Sequence, residues 1–261
     1  MTGGLATNLR VVGALGLRSM KQTFRRPQLM APILVFPTLL LAIQVGGAGS
    51  AVNLPQFPPT TVLNFMVAGA MIQATLLAGN SGGIALALDI EMGFTDRLLA
   101  APISRFAIVL GRLAGTAALG ALTAIWFLVI ALIFGAHIEG GVAGAFLIVL
   151  LVTCSAVAFG GIGAAIALRS GSASVVQGLF PLVFVILFLS TAFFPENLLL
   201  EPARSVAKWN PLSFIVDGVR DLVISTFSAA QFFEGVAALA LMGLFGVGLS
   251  AAAMRGRLRR G

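Results

Sequence analysis

The chain has 261 residues, of which 59 % are hydrophobic and only 10 % are charged, and its formal net charge is +7. The hydrophobic share exceeds the roughly 45–50 % that is usual for soluble domains, so the composition excludes an ordinary water-soluble protein. The positive charge does not indicate nucleic-acid binding, because most basic residues lie at the ends of apolar runs rather than in one patch.

Six apolar runs are long enough to cross a membrane as helices, which takes about 20 residues at about 1.5 Å each. A β-barrel strand would alternate polar and apolar residues, and runs such as AIWFLVIALIF do not alternate. The predicted fold is therefore an all-α membrane protein with six transmembrane helices. We place spans 1 to 6 at 28–48, 61–88, 107–134, 142–168, 174–194 and 231–254.

The basic residues predict the orientation of these spans. Of the 16 lysines and arginines, 13 lie on one side of the arrangement. Cytoplasmic segments carry an excess of Lys and Arg, so we expect both termini to be cytoplasmic. The strong preference for Arg over Lys is typical of a GC-rich genome, which favours a bacterial inner (plasma) membrane crossed several times.

Residues 1–27 predict an amphipathic helix on the membrane surface. At about 100° per residue, its cationic side chains fall on one side and its apolar side chains on the other. Pro27 marks the bend into span 1. A basic segment without helical structure is the alternative. Residues 28–254 would then form the membrane domain and residues 255–261 a basic cytoplasmic tail.

The loop at 89–105 between spans 2 and 3 gathers an unusual amount of charge. Within it, Phe94, Leu98 and Ala101 fall on one face of a helix, whereas Asp96 and Arg97 point away. The proline that follows at position 102 ends such a helix. A short amphipathic helix of this kind is suited to a groove on a partner protein.

Span 5 carries an aromatic stripe at four-residue spacing, formed by Phe180, Phe184 and Phe188 and followed by Ser190 and Thr191. These side chains are candidates to line a path for an amphipathic molecule. Ordinary packing or lipid contact is the alternative for such a stripe.

The segment 195–228 is too polar to cross a membrane, and its second half has a helical pattern. Asn210 and Pro211 form a good N-cap and first helical position. Apolar residues then recur at helical spacing, with Asp217, Arg220 and Asp221 on the other face. We expect an amphipathic helix on the outer side, folded against the bundle; a loop helix without a role in transport is the alternative.

Two enzyme classes are tested and disfavoured by the residues. Gly79-Asn80-Ser81-Gly82 matches the GxSG pattern of rhomboid-like intramembrane serine proteases, but the single histidine, His137, is predicted at the opposite end of the bundle from Ser81. A small-residue packing surface is therefore favoured for this run. Metal-dependent hydrolysis lacks a second histidine and a cluster of thiols.

Energy coupling within the chain is also disfavoured. An ion-coupled secondary transporter usually keeps an ionisable group within the bilayer, and all nine acids lie at predicted helix ends or in loops. This weakens the secondary-transporter alternative without excluding it. A phosphate-binding GxxxxGK[ST] loop is excluded, because the two lysines follow Met20 and Ala207.

Two motifs carry a family resemblance. The run E-x-G-x-x-x-R-L-L-A-A-P-I-S-R-x-x-x-x-L-G-R resembles the cytoplasmic loop of type-2 ATP-binding-cassette (ABC) export permeases, which occur in drug, lipid and polysaccharide exporters. The run WNPLSFIVDGVRDL resembles the segment before the last span of the same family. The order of surface helix, spans, loop and tail agrees with this family over nearly the whole chain.

The resemblance implies roles for particular residues. The loop would couple the permease to its ATPase, with Pro102 and Arg105 fixing the return into span 3. Asn210, Pro211, Asp217 and Arg220 would be structural elements of the outer gate region. The implied ATPase contacts are Glu91, Gly93, Phe94, Asp96, Arg97 and Leu98, although Phe94-Thr95 departs from the Thr-Leu of many relatives.

The resemblance also implies a function. The chain would be the membrane-spanning permease subunit of an exporter that moves amphipathic drugs, with a role in multidrug resistance, or lipid-like molecules. It would itself bind no cofactor and no nucleic acid. Cytoplasmic ABC ATPase subunits would bind ATP and Mg²⁺, and a second permease copy or a paralogue would complete the complex among membrane lipids.

Overall fold

The computed structural model describes residues 5–25, 27–55, 57–94, 105–225 and 227–258 of the chain. This part of the chain is built from α-helices, two 3-10 helices at Gly49–Asn53 and Glu196–Leu198, and connecting turns, and it contains no strand. The α-helices are Leu5–Phe24 (α1), Pro27–Gly47 (α2), Val62–Glu91 (α3), Arg105–Ile133 (α4), Gly141–Ser170 (α5), Ala173–Gly178 (α6), Phe180–Phe188 (α7), Ala203–Trp209 (α8), Pro211–Ile224 (α9) and Ala229–Leu258 (α10).

Five helices of the described residues are long and apolar enough to cross a membrane. They correspond to predicted spans 1, 2, 3, 4 and 6. The prediction of an all-helical fold with several apolar helices of membrane-spanning length is therefore confirmed for the described residues. The candidate spanning segments are Met30–Gly47, Val62–Glu91, Ile108–Ile133, Gly141–Ser170 and Ala229–Ser250.

The predicted fifth span is not one continuous helix. Helix α6 ends at Gly178, α7 runs from Phe180 to Phe188, and turns follow up to Phe194. Pro181 lies in the first turn of α7, where a residue without an amide N–H is tolerated. In place of the predicted helix at 174–194 the structure has two short helices and a turn, so the described residues contain five rather than six continuous helices of spanning length.

Helix α3 lies at the centre of the bundle, and most of its residues are buried. It crosses α5 at glycines, because a Cβ at Gly79 would lie 2.5 Å from the Cβ of Phe159, and a Cβ at Gly83 would lie 2.8 Å from the backbone of Gly163. Close van der Waals contact between small residues is a common source of helix association in membranes. The run GNSGG at 79–83 therefore forms the packing surface that was expected of it.

Helix α1 contacts the bundle directly. It packs along the first turns of α4, where a Cβ at Gly111 would lie 2.6 Å from the Cβ of Leu15. Ser19 Oγ also donates to the backbone carbonyl of Arg112 at 2.9 Å. The predicted N-terminal helix is present, and it has a protein neighbour on one side.

The turns that connect the long helices lie at two opposite ends of the bundle. At one end, Glu91 Oε1 accepts a hydrogen bond from the amide of Ala173 at 2.8 Å, so the end of α3 meets the α5–α6 connection. At the opposite end, the amide of Glu139 donates to the carbonyl of Val223 at 3.1 Å, so the α4–α5 turn meets α9. We call these the inner and the outer end; that the inner end faces the cytoplasm remains a prediction.

Candidate functional site

A polar cluster at the outer end is organised by helix α9. Asn210, Ser213, Asp217 and Arg220 recur at intervals of three and four residues and therefore lie on one face of the helix. Together with Thr191 they form what we call the arginine cluster. The Asn210 side chain caps α9, because its Oδ1 accepts from the amide of Leu212 at 3.0 Å.

Asn210 also closes the broken end of the fifth segment. Its Nδ2 donates to the carbonyls of Ile186 at 2.8 Å and Leu189 at 2.9 Å. The last carbonyls of a helix lack partners within that helix, so a side-chain donor placed there removes the cost of burying them. One asparagine thus joins the start of α9 to the end of α7.

Arg220 holds the turn that follows α7. Its Nη2 donates to the carbonyls of Thr191 at 2.6 Å and Ala192 at 3.2 Å, and its Nε donates to the carbonyl of Phe65 at 3.1 Å. The guanidinium carbon lies 3.8 Å from the centre of the Phe65 ring, and the guanidinium forms an ion pair with Asp217. The arginine therefore ties α9, the turn and the beginning of α3 together.

The turn is also held by shorter side chains. The amide of Thr191 donates to Ser213 Oγ at 3.1 Å, and Thr191 Oγ1 donates to Asp217 Oδ1 at 3.0 Å. A Cβ at Gly69 would lie 2.2 Å from the carbonyl oxygen of Ala192, so the turn rests on the backbone of α3. The geometry leaves room only for glycine at that point.

Burial shifts the pKa values of the two charged side chains of this cluster. Arg220 is only 6 % exposed, and burial lowers its pKa to about 10, against the opposing effect of Asp217. Burial likewise raises the pKa of the Asp217 carboxyl, against the opposing effect of Arg220. The arginine still carries its charge at neutral pH, because its pKa stays well above 7.

The structure brings the predicted outer residues together but separates the predicted path residues. Ser190 and Thr191 are buried in or beside the arginine cluster. Phe184 and Phe188 form a chain of ring contacts with Phe36 and Phe193, with centroids 5.0 to 6.3 Å apart. The side chain of Phe180 lies outside the described residues. The role of these five residues in a substrate path remains a prediction.

A second charged cluster lies at the inner end. Arg112 Nη1 is 2.6 Å from Asp89 Oδ2, and the Asp89 side chain is almost completely buried. The guanidinium carbons of Arg18 and Arg112 lie 3.8 Å and 5.9 Å from the centre of the Phe94 ring. We call these four residues the inner cluster. It joins α1, the end of α3, the following loop and α4.

Of the inner cluster, only Phe94 is among the residues that the sequence predicts to contact an ATPase. Asp89 directly follows predicted span 2, and Arg112 is the last residue of the charged run that begins at Glu91. Opposite charges at the two boundaries of one loop were the available signal, because antiparallel neighbouring helices bring such boundaries together. The contact of Arg18 with Phe94 had no signal in the sequence.

The predicted coupling residues are described only in part. Glu91 is the last residue of α3, and Gly93 follows it in the left-handed conformation at φ +69° that is common after a helix. The backbone of Arg105 begins α4, and its side chain is not described. Asp96, Arg97, Leu98 and Pro102 lie outside the described residues, so their contact with an ATPase remains a prediction.

An apolar cavity of about 230 Å³ lies where the fifth segment is broken. Its walls come from α3, α5, α7, α9 and α10. Asn80 provides a polar side chain in an otherwise mainly apolar lining. Other lining residues include Leu76, Phe159, Val183, Leu212 and Met242.

The protease alternative fails on geometry. Helices α3 and α4 touch at Gly82 and Thr116, one residue after Ser81. From Thr116 to the end of α4 at Ile133 the helix rises by about 26 Å, and His137 lies beyond that end. Ser81 and His137 therefore cannot share a proton. Within the described residues no group of three or more His, Cys, Asp or Glu side chains is arranged to hold a metal.

Comparisons with known proteins agree with the resemblance found in the sequence. A family model described as "ABC-2 type transporter" matches residues 10–224, which include both clusters. The chain is 29 % identical over 228 residues to the ycf38 protein of Porphyra purpurea, covering 84 % of this chain and 75 % of that protein. It is 27 % identical over 227 residues to the ycf38 protein of Pyropia yezoensis, covering 83 % and 75 %. Both relatives carry names that describe a transport permease.

Members of this family are membrane transport components that normally work with an ATPase partner and are generally not catalytic themselves. The matched region runs from α1 to the end of α9 and covers well over half of the chain. The chain therefore belongs to the ABC-2 type transporter family, as a permease component of the membrane.

Proposed function

We propose that the chain is the membrane-spanning subunit of an exporter that moves amphipathic drugs or lipid-like molecules out of the cell. A separate cytoplasmic ABC ATPase, which binds ATP and Mg²⁺, supplies the energy. A second copy of the chain or a paralogue completes the transport unit. The membrane is a bacterial inner membrane, although the two relatives named above come from red algae.

The apolar cavity carries the proposal on cargo. Its volume of about 230 Å³ is slightly below the range of about 300–1,000 Å³ for pockets that enclose a drug-sized ligand. It is therefore suited to the apolar part of a molecule whose polar part remains outside. Asn80 offers a hydrogen bond in the lining, and a site without a charged wall disfavours a small ion.

The inner cluster supports the proposal on energy coupling. Phe94 belongs to the loop that the ATPase is proposed to move, and its ring stacks on Arg18 of α1. Arg112 is ion-paired with Asp89, so α3 and α4 are joined at the same place. A displacement of the loop would therefore reach three helices through packed contacts.

The test compares ATP-dependent export by a variant whose cavity is filled by a larger side chain with export by a control variant. The chain is reconstituted in vesicles with the ATPase that copurifies with it, and export of a fluorescent amphipathic dye and of a fluorescent phospholipid is followed. We expect Met242→Trp, which places a large ring in the cavity, to reduce export at least tenfold. The matched control is Leu241→Trp, because Leu241 is 69 % exposed on the same helix and should tolerate the ring.

Two outcomes would contradict the proposal. Equal export by the two tryptophan variants would remove the cavity from the cargo pathway. Uphill movement of solute by the purified chain, without ATP and without a second protein, would show that no ATPase is needed and would favour an ion-coupled secondary transporter.

A further inference from the structure

A small polar cavity opens beside the inner cluster, between α1, α2, α3 and α4. It measures about 40 Å³, which is room for about three water-sized groups at the 10–15 Å³ that each requires. Arg18 and Arg112 line it together with the side chains of Gln22, Thr23 and Ser81. The lining is thus rich in hydrogen-bond donors.

Arg112 lies in the wall of this cavity and has unpaired donors. Its Nη1 is used by Asp89, but its buried Nε and Nη2 have no hydrogen-bond partner among the described residues. A buried donor without a partner costs stability, and a guanidinium fork is best matched by the paired oxygens of a carboxylate or a phosphate. The free side of the fork therefore calls for an anionic group.

The cavity continues into an open groove along α1. The groove has a volume of about 580 Å³ and shares Arg18 and Gln22 with the cavity. Lys21 and Arg25 line it as well, so among the described lining residues of the two spaces four cations face one carboxylate, that of Asp89. Such an excess of positive charge attracts an anion and leaves room for a larger group behind it.

The cavity lies near the inner ends of three apolar windows. Its wall includes Met30, the first residue of the apolar window that spans the membrane in α2. The spanning window of α4 begins at Ile108, only four residues before Arg112. The polar headgroup region begins where such apolar windows end, so the phosphate of a membrane lipid would lie at this level.

From this arrangement we infer that the cavity binds the phosphate of an anionic phospholipid, with Arg18 and Arg112 as its ligands and the rest of the headgroup in the groove. The lipid is a ligand of the inner cluster and not the cargo. It would join α1 to α3 and α4 beside Phe94. This inference does not depend on the proposed cargo or on ATP-driven export.

The test measures lipid binding rather than transport. The purified full-length chain is titrated with phosphatidylglycerol or phosphatidylcholine, bound lipids are counted by native mass spectrometry, and the thermal midpoint is recorded. We expect phosphatidylglycerol to bind about tenfold more tightly and to raise the midpoint more, because two charged donors reach its phosphate without an opposing choline.

Three variants test which residues cause the preference for phosphatidylglycerol over phosphatidylcholine. Arg18→Gln should abolish the roughly tenfold preference for phosphatidylglycerol, and because Arg18 is exposed we expect the variant to fold. Arg112→Lys retains a charge for Asp89 but loses the forked donors, and should weaken the preference severalfold. Arg10→Gln is the matched control, because it removes an equal, exposed charge of α1 outside both spaces and should change binding less than twofold.

Each remaining outcome overturns the inference. Equal losses in Arg10→Gln and Arg18→Gln would show a general attraction to surface charge. Equal stabilisation by inorganic phosphate in the absence of lipid would assign the cavity to free phosphate. Loss of ATPase copurification in Arg18→Gln, with the lipid preference unchanged, would assign it to the partner protein.

Discussion

Replacing Arg220 by methionine tests whether the arginine cluster holds the broken segment in place. The variant keeps most of the side-chain volume and removes the hydrogen bonds to the carbonyls of Phe65, Thr191 and Ala192 together with the ion pair to Asp217. We expect a decrease in the free energy of unfolding, measured in detergent micelles with increasing denaturant.

The structure sets the size of this decrease. Removal of one partner from a buried ion pair costs about 3–5 kcal/mol. The Asp217 side chain is 38 % exposed, so water can take over part of its solvation once the arginine is gone. The expected loss is therefore at the lower end, about 3 kcal/mol. The stability of Arg220→Lys should fall between that of the unmodified protein and that of Arg220→Met. A lysine keeps the charge, but its ammonium cannot reach three carbonyls with the same geometry.

Arg204 offers a matched control, because it also donates to two backbone carbonyls, those of Glu196 and Asn197, but at an exposed site. We expect Arg204→Met to cost less than about 1 kcal/mol. If Arg220→Met loses no more stability than Arg204→Met, the cluster does not hold the fold and the reasoning from its buried contacts is wrong.

Three further changes test other parts of the structure. Gly83→Leu should lower stability by about 1–3 kcal/mol because its Cβ would collide with Gly163, whereas Gly248→Leu, with open space around it, should not; equal unfolding curves would contradict the crossing. Asn210→Ala should lower the free energy of unfolding by about 2 kcal/mol in the same assay. Asn210→Asp should regain only the part that comes from capping Leu212, since aspartate lacks the amide donor for Ile186. Phe94→Ala should retain ATP hydrolysis but reduce export about tenfold; unchanged export would remove Phe94 from coupling.

The long spans could be predicted from the sequence because each is specified locally. A helix in lipid satisfies its own backbone hydrogen bonds, so length and apolar composition are nearly sufficient. The span predicted at 142–168 is observed at Gly141–Ser170, and the one predicted at 61–88 at Val62–Glu91. The glycine packing surface was predictable for the same reason, since small residues at helical spacing are visible in the sequence.

The break in the fifth segment could not be predicted from composition. Its average composition is apolar enough for a span despite Gln177, Ser190 and Thr191, and Pro181 is the local sign of a new helix start. The turn that ends at Phe194 depends on donors from Asn210 and Arg220. These residues lie 21 and 29 positions beyond the carbonyls of Leu189 and Thr191 that they bind. Only the folded structure shows that these polar side chains satisfy the carbonyls of the turn.

Both clusters act on the same helix, α3, and this gives the coupling hypothesis a definite form. Phe65 in its first turn contacts Arg220, and Asp89 near its end pairs with Arg112. The two positions are 24 residues, or about 36 Å, apart along the helix axis.

Asn80, which lines the apolar cavity, lies between these two positions of α3. Because α3 is continuous from Val62 to Glu91, the hypothesis is that its inner end tilts about the arginine cluster, and such a tilt would also move the cavity wall. The arginine cluster would then be the fixed point against which the cavity opens or closes.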